Sequence, residues 1–148
     1  VLISKWDQRF MERAEQIASW SKDPSTHVGA VITQGKRVVS EGYNGLPQLV
    51  EDSPERLNDR EVKLALTIHA EINAILFAKQ DITGCTIYVW PLPPCAACMS
   101  VIIQAGIKRV VTVKSKNKFL QKRWESSNNL ALEVAHEVGI PVVYLEAI

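Results

Sequence analysis

The second half of the chain alternates between two hydrophobic periods, and that alternation limits the available folds more than any other feature. "CTIYVW" (85–90), "KRVVTVK" (108–114) and "PVVYLEA" (141–147) are short β-branched runs. Between them stand "PLPPCAACMSVIIQAG" (91–106), a Pro-rich turn opening into a helix that Gly106 stops, and "KFLQKRWESSNNLALEVAHEVG" (118–139). The latter is helical, with Ser126–Asn129 as a candidate break. Strand–helix–strand–helix–strand order demands right-handed parallel crossovers with helices on the sheet.

The first half adds antiparallel pairing. "HVGAVITQ" (27–34) and "RVVSEGYN" (37–44) meet at Gly35-Lys36, a hairpin signal. Ahead of them "SKWDQRFMERAEQIASWS" (4–21) reads as a helix with Ser4 as cap and Asp7 in the capping-box position. Trp6, Phe10, Ala14, Ile17 and Trp20/Ser21 lie along one face, and Asp23-Pro24 ends it. The segment 45–63 is polar and Pro-bearing, with room for one short helix. A further helix spans about 68–79, with Ile72, Ile75 and Leu76 at core spacing. The expected architecture is α/β, three layers around a central mixed five-stranded sheet, in a single domain over 1–148.

Two helix starts carry chemistry. One holds His69 and Glu71, the other Cys95 and Cys98 in "PCAAC". A Cys-x-x-Cys at a helix start aims two sulfurs at one point, and the helix N-terminus favours thiolates. By itself the pair is equally a redox couple or half of a structural zinc site. A histidine opening the preceding helix reaches the same point if both helices pack on one sheet face. One nitrogen and two sulfurs then leave a fourth zinc position open, the catalytic arrangement. Glu71, two residues from a ligand, is placed to exchange a proton with water there. The joint pattern H-x-E…P-C-x-x-C is the established signature of zinc nucleobase deaminases. Cys85, the third cysteine, reads as a buried small hydrophobe, and an odd count of three does not suggest a disulfide framework.

The chain resembles the cytidine deaminase superfamily and, within it, the deoxycytidylate (dCMP) deaminases. "SKDPSTHVGAVI" (21–32), "EGYNGLP" (41–47), "HAEINAI" (69–75) and "PCAACMSVIIQAGIKRVV" (94–111) carry the resemblance. It implies one catalytic Zn²⁺ held by His69, Cys95 and Cys98. It implies Glu71 as the group that takes a proton from water and delivers it to the cytosine ring and leaving amine, giving dUMP and ammonia. The Ala70 backbone N–H would meet the base O2, and a carbonyl of the "WPLP" turn the 4-amino group. Asn44 would hold the sugar; its plainer role is a turn residue before Gly45. Lys22, Ser25 and Thr26 are the candidates for a phosphate, although "SKDPS" also serves as a helix stop. Arg56 and Arg60 could add charge or simply face solvent.

Three departures from the family pattern stand out. The turn "YVWPLPPC" is one residue longer than usual and carries Trp90, which either narrows the base pocket or fills the core. Segment 45–67 has no Cys or His for an additional structural zinc. Lys79 and Gln80 stand where regulated members carry an arginine for dCTP and dTTP. His27 is expected at the entry of the first strand and His136 on the surface. Phe119, Leu120 and Trp124 read as core or subunit contacts.

Seventeen Lys+Arg against sixteen Asp+Glu give a net charge of +1, which lends stable nucleic-acid binding little weight. No apolar run reaches the ~18 residues of a membrane span. The expectations are therefore a small-molecule nucleotide substrate, no membrane partner, a cytoplasmic setting and, from the resemblance, a homo-oligomer. The competing functions are a deaminase of CMP, dCTP or 5-substituted dCMP, a nucleic-acid editor, and a non-catalytic zinc module.

Overall fold

The structure is a computed structural model and describes residues 3–146. Its elements run α1 (Lys5–Ala18), β1 (Gly29–Gln34), β2 (Arg37–Tyr43), α2 (Pro54–Asn58), α3 (Arg60–Leu66), α4 (Ala70–Phe77), β3 (Thr86–Trp90), α5 (Ala96–Gln104), β4 (Arg109–Val113), α6 (Lys118–Glu137) and β5 (Val142–Leu145). The sheet order is β2-β1-β3-β4-β5. β1 pairs antiparallel with both β2 and β3, while β3–β4 and β4–β5 are parallel. The mixed five-stranded sheet and its two parallel crossovers are as the sequence pattern required.

Alternation along each strand splits the core into two layers. Val31, Tyr88, Val111, Val113, Val143 and Leu145 face α1, where Phe10, Met11 and Ala14 meet them. Ala30, Ile32, Ile87, Val89 and Val110 face α4, α5 and α6.

α1 forms where its cap is complete. Ser4 Oγ accepts from the Asp7 N–H at 3.3 Å, and Asp7 Oδ2 accepts from the Ser4 N–H at 3.0 Å. The same Asp7 carboxylate is bidentate to Arg109 of β4, at 2.8 and 3.0 Å, and accepts from the Tyr88 hydroxyl at 2.7 Å. Arg109 foremost holds the Asp7 carboxyl down to about 2, against the opposing effect of burial. A carboxyl depressed in the folded state stabilises above its unfolded value near 4, and that stabilisation is lost as pH falls toward 2. Asp7→Asn is therefore expected to cost roughly 2 kcal/mol at neutral pH. In urea titrations the gap between wild type and variant should close between pH 5 and 2. A gap that is constant with pH contradicts this account.

Four details differ from the sequence expectation. Trp20 leaves the α1 face, because the helix ends at Ala18; it is 54% exposed and lies edge-on to Tyr43 with ring centroids 6.3 Å apart. On α4 the buried residues are Ala70, Glu71 and Ala74, whereas Leu76 is exposed and Ile75 only partly covered. The small residues win because β2 comes very close: a Cβ on Gly42 would lie 2.5 Å from both Ala70 O and Ala74 N. Segment 45–63 holds two short helices rather than one, capped by Ser53 and Asp59. α6 runs unbroken through Ser126–Asn129, since Ser127 Oγ accepts from the Ala96 N–H at 2.9 Å instead of competing for its own helix backbone. Of the last strand, Ala147 lies outside the described residues.

Candidate active site

β1 and β3 place two crossovers side by side, and the starts of α4 and α5 converge on one cavity. His69 is the N-cap of α4 and Cys95 the N-cap of α5. His69 Nδ1 lies 3.2 Å from Cys98 Sγ and 3.6 Å from Cys95 Sγ. The donor atoms of all three residues fall within 4.8 Å of one another. Tetrahedral zinc, with Zn–S about 2.3 Å and Zn–N about 2.0 Å, separates such donors by about 3.5–3.8 Å, so the set fits that ion. Among the described residues no other His/Cys/Asp/Glu group has this geometry. His69, Cys95 and Cys98 are thus positioned to hold one metal ion and to leave it an open coordination position.

Electrostatics suit that role. Hydrogen bonding to Cys98, opposed by burial and helped by His69, brings the Cys95 thiol down to about 4. The adjoining Cys95 and burial push the Cys98 thiol up. Metal binding to a pair of cysteines as thiolates releases their protons. Glu71 is 4% exposed, and burial pushes its carboxyl above the usual range, against the pull of its own backbone N–H and of His69. A carboxyl raised in this way accepts and returns a proton more readily near neutral pH.

The cavity is lined on the metal side by His69, Ala70, Glu71 and Cys95. Ala70 is the first residue of α4, where a backbone N–H has no partner within its helix. Asn44 also lines the cavity, yet its amide is already engaged: Oδ1 accepts from Val28 N–H at 2.9 Å and Nδ2 donates to Thr26 O at 2.8 Å. It pins the segment that carries Ser25 and Thr26, both of which line the cavity.

Lys22 is not brought there. Its side chain is 72% exposed and pairs with Asp52 at 3.2 Å. The reason is local: Asp23 turns inward, its Oδ1 accepting from the Ser25 and Thr26 N–H groups at 2.8 and 3.1 Å, and so rotates Lys22 outward. The buried cation of the cavity is Lys63 of α3, with Nζ 3.2 Å from Asp23 Oδ1 and 2.9 Å from Ser25 Oγ. Arg60, Thr67, Leu92, Pro93, Arg123 and Trp124 are further lining residues. Arg56 instead donates to Glu51 O at 3.0 Å, outside the lining. Trp90 packs with the α1-side core, so it fills the interior rather than narrowing the cavity. Cys85 is buried at the foot of β3, His136 is exposed on α6, and His27 precedes β1 with Nε2 2.8 Å from Asp23 O.

A three-layer sandwich that gathers one imidazole, two thiols and a buried carboxyl at neighbouring helix starts defines a metal-dependent hydrolytic enzyme of the deaminase class. The family model for the cytidine and deoxycytidylate deaminase zinc-binding region matches residues 4–114, and the chain belongs to that family. It is 46% identical over 144 residues to an uncharacterized deaminase encoded 3′ of luxG in Aliivibrio fischeri, covering 97% of this chain and 96% of the relative. It is 40% identical over 119 residues to human deoxycytidylate deaminase, covering 76% of this chain and 66% of the relative. A crystal structure of the cyanophage S-TIM5 dCMP deaminase in complex with dCMP and dUMP superposes with a TM-score of 0.75 at 20% identity. That superposition covers 98% of this chain and all of the other. At that identity it bears on the fold, and it matches the three-layer arrangement.

Proposed function

We propose that this protein is a zinc-dependent hydrolase that deaminates dCMP to dUMP with release of ammonia. The observation that carries the reading is the buried Glu71 carboxyl in the same cavity as the convergent His69, Cys95 and Cys98 donors. His69, Cys95 and Cys98 would hold the zinc, which would supply Lewis acidity for activating water at neutral pH. The remaining work falls to the chain. Glu71 takes a proton from the attacking water and passes it to N3 of the cytosine ring. It then moves the second proton to the departing 4-amino group, so that C4–N breaks, C4=O forms and ammonia leaves. In this reading the Ala70 N–H donates to the base O2, and Asn44, which accepts from the Val28 N–H and donates to Thr26 O, supports the sugar side of the cavity. Leu92 and Pro93 wall the cavity and exclude water from the base.

Two wider expectations belong to the same reading. Exposed Leu76 and Phe77 at the end of α4 offer apolar surface for self-association into a homo-oligomer. Among the described residues no helix is long and apolar enough to cross a membrane, and three free cysteines suit a cytoplasmic setting.

The test is ammonia release from zinc-analysed protein offered cytidine, CMP, dCMP, dCTP, 5-methyl-dCMP and a cytosine-bearing single strand. The reading expects dCMP to have the highest kcat/KM. Inert dCMP beside turnover of another substrate would reassign the specificity, and no turnover of any would remove the enzyme reading.

A further inference from the structure

The two helices that carry the metal donors are held in place by different means. The His69 arm is fastened to the sheet side. Ile68 exchanges backbone hydrogen bonds with Gly45 at 2.8 and 3.1 Å, and Ser40 Oγ of β2 donates to Ala74 O of α4 at 2.6 Å. The Cys95 arm leaves β3 through Pro91, Leu92, Pro93 and Pro94. Three of those four residues are prolines and have no N–H to donate. Among the described residues no backbone–backbone hydrogen bond involves any of the four. The turn that delivers Cys95 thus has no ladder or cap of its own to set its direction.

Its tie is to α6. The Ala96 N–H donates to Ser127 Oγ at 2.9 Å, across 31 positions of sequence. That N–H belongs to the planar peptide unit joining Cys95 to Ala96. Holding it fixes the plane, and with it the rotation at the Cys95 Cα that aims the sulfur. A serine inside a helix more often turns its hydroxyl onto its own preceding turn; here the oxygen serves the start of another helix. The Cys98 N–H faces Cys95 Sγ at 3.5 Å. Two N–H groups that α5 cannot satisfy within itself are therefore both spent on Cys95, one at its sulfur and one at its backbone.

We propose that Ser127 is a positioning residue of the metal centre, and that α6 sets through this one hydroxyl how firmly the chain retains zinc. The inference rests on the metal-binding half of the proposed function and not on the choice of substrate. Ser127 supplies no donor atom and acts through the 95–96 peptide. It also lies beyond the family match, which ends at 114. Hydrogen bonds one step out from a ligand typically govern metal affinity by about 10- to 100-fold. Without the hydroxyl the half-buried Ala96 N–H turns to water, and the Cys95 arm regains a freedom that zinc must then remove.

The experiment is competition for zinc between the loaded protein and a chelator, beside melting curves with and without the ion. Ser127→Ala should fold, because alanine is the strongest helix former. It is expected to hold zinc about tenfold more weakly, or worse. Ser127→Thr keeps the hydroxyl and should hold zinc within about twofold of wild type. Ser126→Ala makes the same change at the exposed neighbour and should leave retention at the wild-type level. The rise in Tm on adding zinc should shrink in Ser127→Ala alone. If Ser127→Ala lowers Tm equally with and without zinc, Ser127 is a helix–helix contact only and the proposal is wrong. If Ser127→Thr loses as much zinc affinity as the alanine variant, the hydroxyl is not the agent and the proposal is equally wrong. No nucleotide enters these measurements, so wild-type protein that deaminates no cytosine nucleotide overturns the proposed reaction and leaves the zinc result standing. Wild-type protein that takes up no zinc removes both.

Discussion

Glu71→Gln is expected to lower kcat by about 10²–10⁴-fold while the protein still carries one zinc per chain. The amide keeps the shape of the carboxyl but can neither take a proton from water nor return one to the ring. Because His69, Cys95 and Cys98 supply the metal donors without it, metal content should be unaffected. Burial is compatible with the substitution, since a neutral amide is cheaper to bury than a charge. Ammonia release and metal analysis on the same preparation decide the matter. Retained turnover would remove Glu71 from the chemistry, and loss of zinc together with turnover would make it a structural support of the metal set.

Gly42→Ala is expected to damage stability and the metal site together. Its Cβ would meet Ala70 O and Ala74 N at 2.5 Å, both of them backbone atoms that cannot swing aside. α4 must move outward from β2, and His69 moves with it. Forced overpacking of this kind costs typically 1–3 kcal/mol and more where only backbone can yield. The separation of His69 from Cys98, 3.2 Å at present, would widen as well. The expected result is therefore a double loss, a lower midpoint in urea and weaker zinc retention against a chelator. A variant that loses stability but holds zinc with parental affinity would show that α4 tilts about its first turn rather than translating.

The parts of the molecule that were legible in advance are those whose cause is local. The Ser4/Asp7 box, the hairpin at Gly35-Lys36 and the pair of helix starts all declare themselves within a few residues. What escaped is set by distant partners. Lys63 looks like one more solvated lysine until Asp23, 40 positions away, is seen beside it. Lys22 is the natural guess from its neighbours and is displaced by the inward turn of Asp23. One signal was available: Arg60, Lys63, Leu64 and Thr67 recur at helical spacing behind Asp59, a good cap, and all four line the cavity. Arg123 and Trp124 had no such marker, because an amphipathic helix does not state which of its edges will border a site. Of Ile72, Ile75 and Leu76 only Leu76 is exposed, and Ile75 packs at the edge of the core, but the centre of the buried face passed to Ala70 and Ala74 because the sequence does not reveal that the neighbouring strand approaches through a glycine.

The six helices of the described residues are not begun alike. Ser4, Ser53, Asp59, Cys95 and Asn117 each turn a side chain back onto the backbone of the helix they open, but His69 makes no such bond for α4. A serine, aspartate or asparagine there would typically recover about 1 kcal/mol. The protein forgoes it so that the imbalance at the first turn of α4 stays available to a visitor rather than to the chain. Stability and turnover thus compete for one residue position. Selection for heat resistance alone would drift toward a better opening residue at 69 and arrive at a sturdier protein without the imidazole on that helix.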